Sequence, residues 1–291
     1  MVATQARING QLAVEIGSGL DAATISFSTG LVVVIILLGS TPSGRAGVQA
    51  LVRAVRERSL APWQMIGGFL GAYFVWAQSL AVPLIGVALF TVAVVAGQTA
   101  NSLVVDRLGL TPLGVLRITP PRFFAAAIGL SAVVVAVLPR LTGTSFALWA
   151  LAASVVAGGL IAVQQAINGR VARATSSSWT ATGLNFALGA LALSLAVAAV
   201  SLLGQPFPFS SLPSSPWLYL GGPIGVAFIA AAAWVVPILG VLRFGLISIS
   251  GQLTGAVVWD LIAPTPGSQV SMNIILGVIL AFVAVVVSAR R

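Results

Sequence analysis

Three short patterns occur twice in this chain, in the same order. QARING at 5–10 returns as QQAING at 164–169, an offset of 159. VPLIGV at 82–87 returns as VPILGV at 236–241, and GQTANSLVVD at 97–106 returns as GQLTGAVVWD at 251–260, both at an offset of 154. A duplication on this scale means that the fold is built from two similar units. The nature of those units follows from the segments between the charges. They are apolar runs of about 18 residues or more, the length a helix needs to cross a bilayer. With 58% hydrophobic and 7% charged residues, the chain is too apolar for a soluble core. In hydrocarbon every backbone polar group must bond within its own segment, so the spans are helices.

The runs predict spans at 1–17, 22–39, 63–81, 84–105, 123–139, 146–167, 179–203, 217–237, 241–262 and 271–288. The first is weak, because it starts at residue 1 and carries Arg7, Asn9 and Glu15. Five spans fall in each copy, so residues 1–140 form a first repeat and 141–291 a second. An odd number of spans per copy forces the second copy to enter the membrane from the opposite face. Arginine placement tests this. The net charge of +9 comes from fourteen arginines and no lysine. With the loop after span 2 inside, Arg45, Arg53, Arg56, Arg58, Arg107, Arg117, Arg122, Arg170, Arg173, Arg243, Arg290 and Arg291 are all inside. Only Arg140 is outside and Arg7 is ambiguous, which obeys the positive-inside rule and puts both termini in the cytoplasm. The same rule accounts for the basic balance without a nucleic-acid partner. The Ala/Val/Gly-rich, lysine-free usage points to a GC-rich bacterial genome, and so to an inner membrane.

The change of offset makes the connection 40–61 five residues longer than its partner near 204–215. Its sequence, GRAGVQALVRAVRERS, is read as a plain basic loop; the alternative is an interfacial helix on anionic lipid. The copies also differ at their starts. About eighteen apolar residues precede Gln164 from Phe146 on, whereas four residues precede Gln5. Either the start codon lies further upstream or one helix is short, and the first is the expectation.

Gln5 with Asn9, and Gln164 with Asn168, stand at i, i+4 and so share a helix face. Amides at membrane depth are costly unless partnered, so these face the bundle interior or a cavity. They are candidate substrate-binding groups; interhelical hydrogen bonding is the structural alternative. Phe27, Asn185 and Phe186 on spans 2 and 7, and Gln98 and Gln252 on spans 4 and 9, complete the candidate set, with Asn101 and Thr254 near the last two. Asp106 and Asp260 close spans 4 and 9, where a carboxylate opposes the helix dipole. Asp106 has Arg107, Arg117 and Arg122 nearby, and an Asp260–Arg140 pair is expected outside; the alternative is that both aspartates are interfacial turn residues. Glu15 lies nearer the outer end of span 1 and has Ala174 as its repeat counterpart. Gly30 and Gly189, and the GxxxG patterns GGFLG (67–71) and GGPIG (221–225), are read as close-packing positions. Pro83 and Pro237 mark tight turns between spans. Trp76 and Trp234 are candidates to line a cavity beside Phe27 or Phe186, though an aromatic in an apolar span more often faces lipid or core.

Cysteine and histidine are absent, which removes disulfides, thiolate metal sites and the commonest general base. No nucleotide-binding loop or Ser/His/Asp arrangement is present, so an enzyme, a metal or a cofactor is not expected. No carboxylate sits at the bilayer centre by this frame, which favours a neutral, zwitterionic or aromatic solute over a cation.

The Q…ING element, the Ser26-Phe27…Gly30 and Asn185-Phe186…Gly189 elements, and Gly97, Gln98, Asp106, Gly109 followed by Arg122 together resemble the YdcZ family of the drug/metabolite transporter superfamily. The second copy departs where Asn185 stands for Ser and Ala263 for Gly. The resemblance spans nearly the whole chain. It implies ten transmembrane helices in two inverted five-helix repeats, an all-α membrane fold, and export of a small solute by alternating access. The candidate residues place the expected site where spans 1, 2, 4 and 6, 7, 9 meet. Because the fused pair supplies both orientations, a monomer is expected to suffice and a homodimer is the alternative. The competing functional readings are a non-transporting scaffold that stabilises a partner, and a passive channel.

Overall fold

A computed structural model describes residues 1–110, 114–115, 117–138, 147–203, 212–239, 241–264 and 270–288. For Asp106, Arg122, Val137, 233–239 and 241–247 it describes the backbone alone. Among the described residues there are ten α-helices and no strands. They are α1 (Val2–Ile16), α2 (Gly19–Ser40), α3 (Pro42–Arg56), α4 (Gly67–Arg107), α5 (Pro120–Val137), α6 (Leu148–Thr175), α7 (Ser178–Leu202), α8 (Gly221–Leu239), α9 (Val241–Ile262) and α10 (Met272–Ser288). Four described stretches are long and apolar enough to cross a membrane: Gly19–Ser40, Gly67–Val105, Leu148–Thr175 and Ser178–Leu202.

The two copies share their first local joint. Gly17, in the left-handed region at φ 78°, ends α1, and the Ser18 side chain accepts the Asp21 N–H to start α2. At the equivalent positions Ser176, at φ 51°, ends α6, and Ser177 accepts the Thr180 N–H to start α7. A left-handed C-terminal residue followed by a serine N-cap satisfies orphan groups of both helices within two residues, so the chain turns sharply.

α4 is longer than a bilayer is thick. Its 41 residues would extend about 60 Å if straight. Phe74 and Phe90 would then be about 24 Å apart along the axis, yet their ring centroids are 6.0 Å apart. The chain therefore folds back on itself at Pro83–Gly86, where Gly86 leaves helical geometry (φ 81°, ψ 164°). This agrees with the tight turn expected at Pro83. The second arm is apolar on every side from Val87 to Ala96 apart from Thr91, and it is buried on every side. A helix of that kind belongs at the centre of a bundle. α6 lies tightly along it: a Cβ on Gly97 would land on the Val155 carbonyl, and one on Gly158 on the Val94 carbonyl.

The connection 40–61 is not the plain loop that its sequence led us to expect. It folds as α3, with the Thr41 side chain accepting the Gly44 N–H, Pro42 in the first turn, and Arg53 and Arg56 in the last. These are strong start and stop signals, and arginine at a C-terminus suits the helix dipole. Gly44, Gly47 and Ala54 pack inward, whereas Val48, Val52 and Val55 form an exposed apolar stripe beside Arg45, Arg53 and Arg56.

Candidate functional site

The paired amides of α1 and α6 are buried, and the glycine patterns of α4 and α8 are what they are buried against. Gln5, Asn9, Gln164 and Asn185 lie in the core and Asn168 is half-buried. A Cβ on Gly67 would come within 2.6 Å of Asn168 Oδ1, and one on Gly225 within 2.6 Å of Gln5 Nε2. A Cβ on Gly71 would strike Gln164 Nε2, and one on Gly221 would strike Asn9 Oδ1. The contacts cross between the copies: α1 seats its amides on α8, and α6 seats its amides on the first arm of α4. Phe27 and Phe186 meet between these crossings, 5.0 Å apart at the ring centroids. Each also presses on the other copy's glycine, Phe186 on Gly30 and Phe27 on Gly189. The glycines read as packing positions thus also make room for the amides.

The two halves of this cluster differ in how they are satisfied. Gln164 Nε2 donates to Asn185 Oδ1 at 2.9 Å, and Asn168 Nδ2 donates to the same oxygen at 3.3 Å. In the first copy Ser26 replaces Asn185, and one short hydroxyl does not reproduce that bridge. Asn9, 0% exposed, is left with neither its oxygen nor its nitrogen bonded among the described residues. Gln78 on α4 is likewise 0% exposed with both amide atoms unpaired. Gln78, whose repeat counterpart is Ala232, was not among the residues the sequence singled out; a lone amide within FVWAQSLAV was the available signal.

Other predicted residues lie outside this cluster. Gln98 Nε2 donates to Gln165 Oε1 at 3.3 Å, while Asn101 Nδ2 donates to the Gly159 carbonyl at 2.7 Å. Gln252 donates to Ser248 Oγ within α9, and Thr254 is exposed. The amide cluster therefore joins the first arm of α4 and α8, spans 3 and 8, rather than spans 4 and 9. Glu15 is exposed and accepts from Gln11, which in turn accepts from Arg7. Trp76 stacks on Tyr73 and lines an apolar cavity of about 330 Å³ with Leu20, Phe69, Ala72 and Leu193, away from the Phe27–Phe186 pair. A second cavity of about 310 Å³ is lined by Ser59, Gln64, Arg170 and Arg173. The amides line neither. The side chains of Asp106 and Trp234 lie outside the described residues, as does Arg140, and with it the expected Asp260–Arg140 pair.

Asp260 is 5% exposed rather than set in an open turn. Its two carboxylate oxygens accept the N–H groups of Val87 and Ala88 at 3.0 and 2.7 Å. Those are the first residues beyond the Gly86 break, so Asp260 caps the second arm of α4 from another helix. This capping offsets the unfavourable position of a carboxylate at its own helix C-terminus.

No curated protein matches the chain. A family model described as "Putative inner membrane exporter, YdcZ" matches residues 1–135 and again 149–287. Two consecutive matches to a single family unit coincide with the sequence duplication and with the doubled amide-on-glycine contacts. The chain thus belongs to the YdcZ family, in tandem-fused form.

Proposed function

We propose that this chain is a secondary transporter of a bacterial inner membrane that exports a small neutral, zwitterionic or aromatic solute by alternating access. Counting α4 as two arms and leaving α3 at the surface gives ten crossings, five per copy, with both termini cytoplasmic. The two copies then form inverted repeats, and rocking one against the other exposes a central site to each side in turn. The observation that carries this reading is the exchanged seating of amides on glycines. Each copy holds its polar face against the other copy, so any relative movement of the repeats uncovers Gln5, Asn9, Gln164, Asn168 and Asn185 together. The unpaired amide of Asn9, one turn along α1 from Gln5, which shares the space over Gly225 with Phe186, supports a ligand with both hydrogen-bonding and apolar parts. Inter-copy contacts are made within one chain, which favours a monomer.

The tight seating of the amides also favours a second reading, a scaffold that does not transport. Thermal-shift screening of the purified protein against metabolites and drugs separates the two, repeated with Asn168→Ala. The transporter reading expects stabilisation by a solute that Asn168→Ala abolishes. Stabilisation that survives Asn168→Ala removes the proposed site, and no stabilisation by any solute class favours the scaffold.

A further inference from the structure

Asp260 belongs to the second copy, and the residues it holds belong to the first. Its carboxylate grips the start of the buried arm of α4 through two backbone N–H groups, one on each oxygen. Gly86, immediately before them, is where that helix breaks. Arg7 on α1 lies within electrostatic range of Asp260. α1 is also tied to α9 next door, where Trp259 Nε1–H donates to Thr4 Oγ1 at 3.1 Å. Glu15, on the same helix as Arg7, is exposed. Among the described residues, α8 and α10, which also pack on α9, contain no charged residue, and α4 carries its two, Asp106 and Arg107, at its far end. On α9 itself the other charged residue is Arg243, at the opposite end of the helix.

We propose that Asp260 is a protonatable latch between the two copies. As a carboxylate it offers both oxygens to the Val87 and Ala88 N–H groups, complements the positive end of the α4 arm and lies within electrostatic range of Arg7. Adding one proton turns one oxygen into a hydroxyl, so that an O–H then opposes one of the two N–H donors. The same step removes the negative charge facing Arg7. Both changes weaken the hold of α9 on the hinge at Gly86 and let the copies part on this side. Proton uptake is thereby linked to opening on this side. This latch rests on the alternating-access reading above. Its test reports opening whether or not a solute moves, so its failure leaves the thermal-shift result standing.

The chain contains no cysteine, so single reporters can be placed in it directly. Thr91→Cys lies one turn beyond Ala88 and is buried; Thr175→Cys, at the α6–α7 joint within the second copy, is about equally buried and serves as the control. Maleimide labelling rates of the two reporters are compared in the full chain in lipid vesicles from about pH 8 to about pH 5, a range covering ordinary and burial-raised carboxylates. The ratio of rates cancels the titration of the thiol itself. The latch predicts that the ratio rises about tenfold on acidification, the effect of losing one charge-assisted hydrogen bond. With Asp260→Asn the ratio is high at every pH, and with Asp260→Glu a pH response returns. A flat ratio in the parent chain overturns the proton assignment. A ratio unchanged by Asp260→Asn overturns the latch. Should Asp260→Asn expose both reporters by unfolding, the parent's own pH response decides.

Discussion

Replacing an asparagine by leucine at two positions in the amide cluster is expected to move stability in opposite directions. Leucine matches asparagine in shape, so packing changes little and the hydrogen bonds decide. At Asn185 the swap removes the oxygen that accepts from Gln164 and Asn168. Hydrogen bonds between membrane helices contribute about 0.6 kcal/mol on average and up to about 1.7. Losing two of them, with the Gln164 donor left in the core, costs about 1–3 kcal/mol, partly offset because the swap also removes Asn185 Nδ2, which is itself buried without a partner among the described residues. At Asn9 the swap removes a carbonyl and an amine that are fully buried and bonded to nothing among the described residues. Burying such a group unpaired costs about 1–3 kcal/mol, so Asn9→Leu should stabilise by a similar amount. The assay is reversible unfolding in mixed detergent, followed by circular dichroism, with both variants beside the parent. If Asn9→Leu destabilises as much as Asn185→Leu, then Asn9 serves structure and the inference of an amide kept free for a ligand is refuted. Under the transporter reading the stabilised Asn9→Leu protein also loses solute-dependent thermal stabilisation, a trade between stability and binding.

Gly97 and Gly251 are repeat-equivalent, yet alanine should affect them oppositely. At Gly97 a Cβ strikes the Val155 carbonyl, and overpacking there costs about 1–3 kcal/mol; at Gly251 nothing lies within 4 Å, and the better helix propensity gains up to about 1 kcal/mol. The same unfolding assay reads both, and equal effects would show that the two copies pack alike at these positions. Arg170 donates to the Gly109 and Leu110 carbonyls at 2.6 Å each and lies 5.4 Å over the Trp63 ring. Arg170→Ala should therefore cost about 2 kcal/mol or more, and Arg170→Lys, which cannot reach both carbonyls with a fork, should recover only part of it. For α3, a spin label at Val52 in vesicles with anionic lipid should be relaxed by oxygen, and one at Arg53 by an aqueous relaxant, as for a helix lying in the interface. Equal aqueous accessibility at both would place α3 in water.

Most of the helices were legible because the signals for them are local. Apolar length, the Pro83 turn and the i, i+4 amide faces are properties of a single segment, and duplication let each copy check the other. α3 was misread because a run of arginines looks like a positive-inside loop until its valine stripe is set on a helix. Gln98 and Gln252, polar residues at equivalent positions of spans 4 and 9, were expected at the site with the other amides. The structure instead places Gln98 against Gln165 and leaves Gln252 bonded within its own helix.

What this sequence determined alone is the membrane class, the doubled organisation and the residue types at each crossing, since a bilayer and a helix together restrict length, polarity and periodicity. Only tertiary structure decided which helix meets which. A GxxxG pattern states that something approaches closely without naming it, and in lipid no hydrophobic gradient between helices narrows the choice. Packing alone put the amides of one copy on the glycines of the other. It also carried Asp260 across to the break in α4, 172 residues away from Ala88 in the chain. It let the Asn185 oxygen bridge Gln164 and Asn168 in the second copy, whereas Ser26 in the first offers no such bridge to Asn9.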